Sequence, residues 1–290
     1  MKILYMSKFD LPDFMNDMVF HGMRSLFGPD VVDYNEAWYM YDDFRKYWNQ
    51  RVPENGMSYG RGFTLYGRLP KLKIDRDDLE DKLTHHYFDK IVYGSITRDS
   101  RFLLGLSSLN YKQKDVIIID GEDNQTFDTF YQLLATCYKR EHSGESIYSH
   151  VKPINFCIPK ELIVKSVPKK EKDYAYIIPG DKSTYIYTDE KSYFEDYKKS
   201  YFGVTGKKGG WDCLRHYEIL MNGCIPFFTD LENCPSNIMT RFPKTLVLDT
   251  MDKIKKQNDL SFYEECVTLL LNWTREKLTT ESVAKYVLGI

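Results

Sequence analysis

A chain of 290 residues with 40 Lys and Arg against 42 Asp and Glu has a formal net charge of −2, so it is long enough to bury a full core in one large or two modest domains and carries no global basic field that advertises nucleic acid. Its six cysteines (137, 157, 213, 224, 234, 266) show no C-x-x-C spacing, which excludes a disulfide frame or a zinc site and reads as reduced thiols of a cytoplasmic protein. The sequence opens directly into an apolar run without a signal-peptide pattern, and no apolar stretch approaches the ~20 residues that span a bilayer, so a soluble chain with no membrane insertion is expected.

Ile3 to Met6 reads as a buried strand, Pro12 or Asp13 as the start of a helix reaching about Phe27, and Val31 to Asp33 as the next strand after the Gly28-Pro29 stop. Strand, helix, strand predicts a parallel sheet with a right-handed crossover. Ligands of such sheets lie at the carboxyl ends of the strands, which makes Asp10, Asp13, Asp17 and His21 candidates for chemistry.

Trp38 to Arg76 breaks that rhythm and reads as an insertion. It holds eight basic residues (45, 46, 51, 61, 68, 71, 73, 76) against four acids (42, 43, 54, 75), eight minus four giving +4, with aromatics interleaved among them. Base plus aromatic is a composition that grips a phosphate backbone and stacks a base; it also suits a surface lobe whose aromatics form a small satellite core. On the first reading Trp38, Trp48 and Arg61 contact an acceptor, with Asp13 and His21.

Asp77 to Tyr87 reads as a short acidic helix. Asp75-Arg76-Asp77 formally matches an Asp-x-Asp metal signature, but acids cluster at helix starts for electrostatic reasons, and no metal ligands are expected. Lys90 to Tyr93 is a strand with Ser95 just past its end, and 98–109 a helix. Asp115 to Ile119 is a strand that ends in Asp120-Gly121-Glu122-Asp123, where three neighbouring carboxylates need a partner. Thr126 to Leu134 reads as a helix, Cys137 to Glu141 as a short strand with a basic end at Lys139-Arg140, and Ile154 to Ile158 as a strand. The charged run 167–172 marks a boundary between predicted domains 1–165 and 166–290. In the second, Tyr174 to Ile178 and Thr245 to Leu248 read as strands, and 190–199, 261–273 and 280–288 as helices.

The stretch Lys199 to Phe228, KSYFGVTGKKGGWDCLRHYEILMNGCIPFF, reads as strand, loop, helix, strand. Gly206, Lys207, Lys208, Gly209 and Gly210 form a doubly basic glycine loop. Leu214, Tyr217, Leu220 and Met221 recur at helical spacing over Trp211 to Asn222, Asp212 sits where it could cap that helix, and Asn222-Gly223 stops it. Free N–H groups at a helix start, glycines that permit close approach and two lysines suit a phosphate. Arg215 and His216 add donors one turn in, and Glu218, a neighbour of Arg215 on the helix surface, could accept from a sugar diol. The plain alternative is a solvated loop followed by a surface ion pair.

The segment RHYEILMNGCIPFF resembles the donor-binding segment of GT-B glycosyltransferases, closest to the exostosin-like and spore-maturation-protein-like enzymes of phages and giant viruses. Cys137 to Glu141 is similar to the Phe-Lys-Arg-Glu segment of the same family. Many GT-B enzymes have a second glutamate seven residues before the first; this chain has Trp211 there, followed by Asp212. The resemblance implies an α/β GT-B fold of two Rossmann-like lobes facing a cleft. It also implies Arg215 on the donor phosphates, Glu218 on the ribose and metal-independent transfer of a sugar from a UDP-type nucleotide sugar, a co-substrate, with no cofactor. Gly206, Lys208, Gly209, Gly210, Trp211, Asp212, His216, Ser95, Lys139 and Arg140 complete the expected donor side. An inverting mechanism needs a general base, for which Asp17 is the first candidate and Glu122 and Asp123 the others. The acceptor is expected to be hydroxymethylated cytosine in phage DNA, flipped out of its duplex, or a glycan. A decayed transferase that binds nucleotide or DNA without turnover is the alternative from another class.

Overall fold

The computed structural model describes residues 1–46, 65–142, 144–257 and 262–290. Two parallel sheets organise them. The first contains β1 (Ile3–Met6), β2 (Val31–Asp33), β3 (Lys90–Tyr93), β4 (Val116–Asp120), β5 (Thr136–Lys139) and β6 (Val151–Pro153) in the order β2-β1-β3-β4-β5-β6, and every pair is parallel. The second contains β7 (Lys172–Tyr174), β8 (Ser200–Thr205) and β9 (Ile225–Phe228) in that order. The expected α/β class with two parallel sheets therefore holds. Among the described residues no helix is long and apolar enough to cross a membrane.

Period-two alternation decides how the first sheet is covered. Ile3, Tyr5, Val92, Ile117, Ile119 and Tyr138 point to one core, and Leu4, Met6, Ile91, Tyr93, Ile118 and Cys137 to the other. Helix α1 (Phe14–Phe27) starts on Asp13, whose carboxylate caps Asn16 N–H, and lies over the first face. The chain's last helix, here α8 (Thr280–Leu288), packs on α1. A Cβ on Gly22 would stand 2.0 Å from the carbonyl oxygen of Thr280, so only glycine permits this approach. Tyr138 donates to the carbonyl of Val287 at 3.0 Å and Tyr286 to that of Pro153 at 2.9 Å, which ties the end of the chain to the first sheet. Short α2 (Leu79–Thr84), a 3-10 turn at Leu103–Leu109 and one-turn α3 (Tyr131–Leu134) lie on the second face.

Five predicted elements change, the first being the strand expected over Tyr174 to Ile178, which instead runs Lys172–Tyr174 as β7. The 98–109 helix is reduced to the 3-10 turn because Phe102 and Asn110 at its ends both have left-handed backbones, φ 64° and 65°. The 126–134 helix keeps only its last turn. Ile154 to Ile158 is not a strand: Ile154 N–H bonds the carbonyl of Lys139 at the end of β5, Ile158 bridges to Thr279, and between them Phe156 N–H bonds the Asp212 carboxylate at 2.8 Å. Thr245 to Leu248 is helical, inside α6 (Lys244–Gln257), where Val247 and Met251 are buried four residues apart. The remaining helices are α4 (Glu190–Lys199), α5 (Leu214–Met221) and α7 (Tyr263–Lys277).

The first turn of the insertion is buried inside the molecule, while Arg45, Lys46, Lys71 and Lys73 stay exposed. Trp38, Tyr39, Met40 and Tyr41 belong to the main core. Asp33, at the carboxyl end of β2, is fully buried and accepts from Arg24, Arg76, the Tyr41 hydroxyl and Ala37 N–H at 2.6–2.9 Å. Trp48 and Arg61 lie outside the described residues. Removing one partner of such a buried ion pair strands the other's charge, so Asp33→Ala is expected to lower unfolding free energy by about 3–5 kcal/mol, read from chemical denaturation midpoints at constant slope.

Candidate functional site

The carboxyl ends of β4 and β5 meet the loop between β8 and α5, and Arg140 stands at the junction. Its side chain is 2% exposed. Nε donates to the carbonyl of Gly121 at 2.8 Å, Nη1 to Glu141 at 3.2 Å and to the carbonyl of Asp212, and Nη2 to Asp123. Glu141 in turn accepts from Asp212 N–H at 2.9 Å. Lys139 is equally committed, donating to Asp120 at 2.9 Å and to the carbonyl of Glu122 at 3.1 Å. Neither basic residue presents charge to a leaving diphosphate, which corrects their expected place on the donor side.

The glycine loop does hold anions, and they are the chain's own. A Cβ on Gly209 would lie 2.3 Å from Asp123 Oδ2, and one on Gly210 2.4 Å from Glu141 Oε1. Gly206 has only an ordinary contact, with Asp230. Carboxylates of the first sheet thus fill the approach that these glycines open. Asp212 does not cap α5, whose N-cap is Cys213. Its carboxylate accepts from Phe156 N–H and the Tyr217 hydroxyl, and burial pushes its pKa up to about 6 against the pull of Arg140. Trp211 is buried under the Lys207 ammonium. His216 is fully buried, its nitrogens against Thr205 Oγ1 (2.7 Å) and the carbonyl of Trp211 (2.9 Å). Burial lowers its pKa to about 3, so it is neutral and adds no charge for a phosphate.

Arg215 differs. Its Nε and Nη1 are buried and have no hydrogen-bond partner. Its guanidinium lies 5.6 Å from the Tyr185 ring, which Lys208 Nζ also approaches, at 5.8 Å. One turn on, Glu218 is 5% exposed and accepts from the Tyr193 hydroxyl at 2.7 Å. Tyr193 and Glu190 come from α4 and Tyr185 from the segment before it, so three residues that sequence reading passed over surround the two it chose. Helical spacing on 190–199 would have flagged Tyr193 only as core.

The first-sheet candidates are dispersed. Asp13 caps α1 and pairs with Arg98 at 3.3 Å. Ser95 is buried at the end of β3, its carbonyl accepting from Arg98 and Asp99 N–H. His21 lies eight residues along α1 from Asp13, about 12 Å at 1.5 Å per residue, in the α1–α8 interface with Nδ1 2.9 Å from Thr280 Oγ1. It is removed from the strand ends where an acceptor was expected. Asp17 is 1% exposed and accepts from the Tyr39 hydroxyl at 2.6 Å, Asn16 Nδ2 at 2.9 Å and Asp13 N–H at 3.1 Å. Burial pushes its pKa up to about 8, outweighing these bonds. It is thus a polar hub sealed in the core, with no open path to an acceptor hydroxyl, which argues against its expected role as the general base. Glu122 is half-buried and accepts from Thr97 Oγ1 at 3.0 Å; Asp123 is exposed and tied to Arg140.

A cavity of about 540 Å³ opens elsewhere, beside β9 and α6, lined by Phe227, Phe228, Leu248 and Met251 with Glu232, Asp249 and Asp252. Its carboxylates disfavour a phosphate, and neither Arg215 nor Glu218 lines it. No family model, curated protein or solved structure matches this chain.

A raised carboxyl pKa favours folding below the unfolded value near 3.8 and loses that contribution as pH rises through about 8. Asp17→Asn is therefore expected to flatten the fall in stability between pH 4 and 8, gaining most over wild type at pH 9. Melting temperatures of both proteins across that range check this; parallel curves would contradict it.

Proposed function

We propose that the protein is a nucleotide-sugar-dependent glycosyltransferase whose donor diphosphate is held by Arg215 and Lys208 and whose donor ribose is held by Glu218. The observation that carries the reading is the Arg215 guanidinium, with two buried N–H groups lacking an acceptor on the first turn of a helix that follows a parallel strand. A buried donor left unmade costs about 1–3 kcal/mol, more on a charged group. An anion with several acceptor oxygens would repay that cost, and a diphosphate has them. Lys208, exposed beside Tyr185, supplies a second cation. The resemblance of this helix and strand to the GT-B donor segment, and two parallel sheets with strand ends meeting at one junction, support the transferase class.

In this reaction an acceptor hydroxyl attacks the anomeric carbon and the nucleoside diphosphate leaves with the bonding pair. Arg215 and Lys208 stabilise the charge that develops on it. If configuration inverts, Glu122 is the half-open carboxylate at the tip of β4 suited to take the hydroxyl proton. The reading is metal-independent, with Asp75 paired to Lys82 at 2.8 Å. A DNA acceptor rested on Trp38 to Arg76. Trp38 is buried in the core, and Arg68, Lys71 and Arg76 pair with Glu190, Glu36 and Asp33, while Arg45, Lys46 and Lys73 remain at the surface, so a glycan or other small hydroxylated acceptor stands beside DNA as an acceptor. The sealed Asp17 and saturated Lys139 and Arg140 favour, as a second reading, a protein that binds nucleotide without turnover.

Titration with UDP, GDP, ADP and CDP, followed by incubation with the matching nucleotide sugars and a panel of glycans and hydroxymethylcytosine DNA, separates these readings. Arg215→Ala is expected to weaken nucleoside diphosphate binding about 10–100-fold, the worth of one to two charge-assisted hydrogen bonds. Wild-type affinity in that variant would remove Arg215 from the phosphate site. Binding without sugar transfer to any acceptor would favour the second reading.

A further inference from the structure

The helix proposed to hold the donor contributes one carboxylate, Glu218. The fold supplies a second carboxylate by another route. Glu190 opens α4, which packs beside β8. One carboxylate oxygen, Oε2, is ion-paired to Arg68, which reaches over from the segment after β2. The other, Oε1, is buried and accepts no hydrogen bond. Glu190 lies near enough to Glu218 to feel its charge, and Tyr193, one turn along α4 from Glu190, donates to Glu218. Two carboxylates on two helices thus lie at one end of a cluster whose other end is Arg215, Tyr185 and Lys208.

A ligand that satisfies this cluster must carry hydroxyl donors at one end and anionic oxygens at the other. Inorganic phosphate is repelled by the two carboxylates, and a neutral sugar lacks the charge for Arg215. A ribose carrying a 5′-phosphate has both, with its diol and its phosphate on opposite sides of the ring. We propose that Glu190 is the second ribose-binding carboxylate of the donor site: its Oε1 accepts one hydroxyl of the diol, Glu218 accepts from the other, and Arg68 holds Glu190 in place through Oε2. This rests on the nucleotide reading above and gives it a partner from a neighbouring helix of the second sheet.

Three observations agree. The Arg68–Glu190 pair is about a quarter exposed on each side chain, so the cluster lies at a mouth and not in the sealed core. Burial pushes Glu190 up to about 7 even with Arg68 alongside, a condition that donated hydroxyl hydrogen bonds relieve by favouring the ionised form. Glu190 Oε1 is also without a partner while its neighbour Asp189 is used, capping Ser192 through both oxygens.

The test is calorimetric titration of the full-length protein and of Glu190→Gln with UDP, GDP, ADP and CDP and with the 2′,3′-dideoxy form of each. Wild type is expected to bind at least one ribonucleotide about tenfold more tightly than its dideoxy form. Glu190→Gln is expected to lose about tenfold for the ribonucleotide and to bind the dideoxy form like wild type, with an unchanged unfolding profile. Equal weakening toward both forms, or wild-type affinity in the variant, overturns the role of Glu190 while leaving Arg215 and the nucleotide reading standing. A wild-type protein that binds none of the four ribonucleotides overturns both.

Discussion

The molecule depends on a buried guanidinium. Arg140, at the end of β5, bonds to Asp123 and Glu141, to the carbonyl of Gly121, and across the junction to the carbonyl of Asp212. A charge this deeply buried is costly unless it is paired and hydrogen-bonded, as Arg140 is. That requirement draws the loop before α5 against the first sheet, and the loop can follow only because Gly209 and Gly210 have no side chains to collide with the two carboxylates. Asp212, Tyr217 and Phe156 then lock the start of α5 from below. Arg215 and Glu218 inherit their positions from that lock.

This arrangement explains which parts of the site were legible in the sequence. The glycines of 206–210 signal a close approach by some other group, but short-range pattern cannot say which group it is. Glu141 and Asp123 lie about 70 and 86 residues earlier in the chain, and their pairing with Gly210 and Gly209 is a product of the fold. The same holds for Glu190 and Tyr193, whose value comes from the packing of α4 beside α5. Arg215 and Glu218 were legible because residues three apart on a helix share a face wherever the helix goes.

The fold was legible where periodicity ran long enough to decide. The crossover from β1 through α1 to β2 and the β8–α5–β9 unit carry strong patterns and clear stops at Gly28 and Gly223. Thr245 to Leu248 misled because a threonine and three apolar residues suit a strand or one turn of a helix equally; the buried positions at 247 and 251 decide for the helix. Asp17 and His21 misled for another reason. The rule that ligands gather at strand ends says nothing of which side chains point there. At the β1–β3 switch, Gly94 admits the Tyr5 hydroxyl and Asn16, which fill the crevice that Asp17 was expected to serve.

The central claim is that an anionic ligand, a nucleoside diphosphate, completes the Arg215 guanidinium. A crystal structure of the protein grown with a nucleoside diphosphate tests it most directly. The account predicts diphosphate oxygens within hydrogen-bond distance of Arg215 Nε and Nη1, with the ribose toward Glu218 and the Asp123 and Glu141 contacts to the glycine loop intact. A nucleotide seated in the acidic cavity beside β9, or one that displaces those two carboxylates and leaves Arg215 unpartnered, would contradict it.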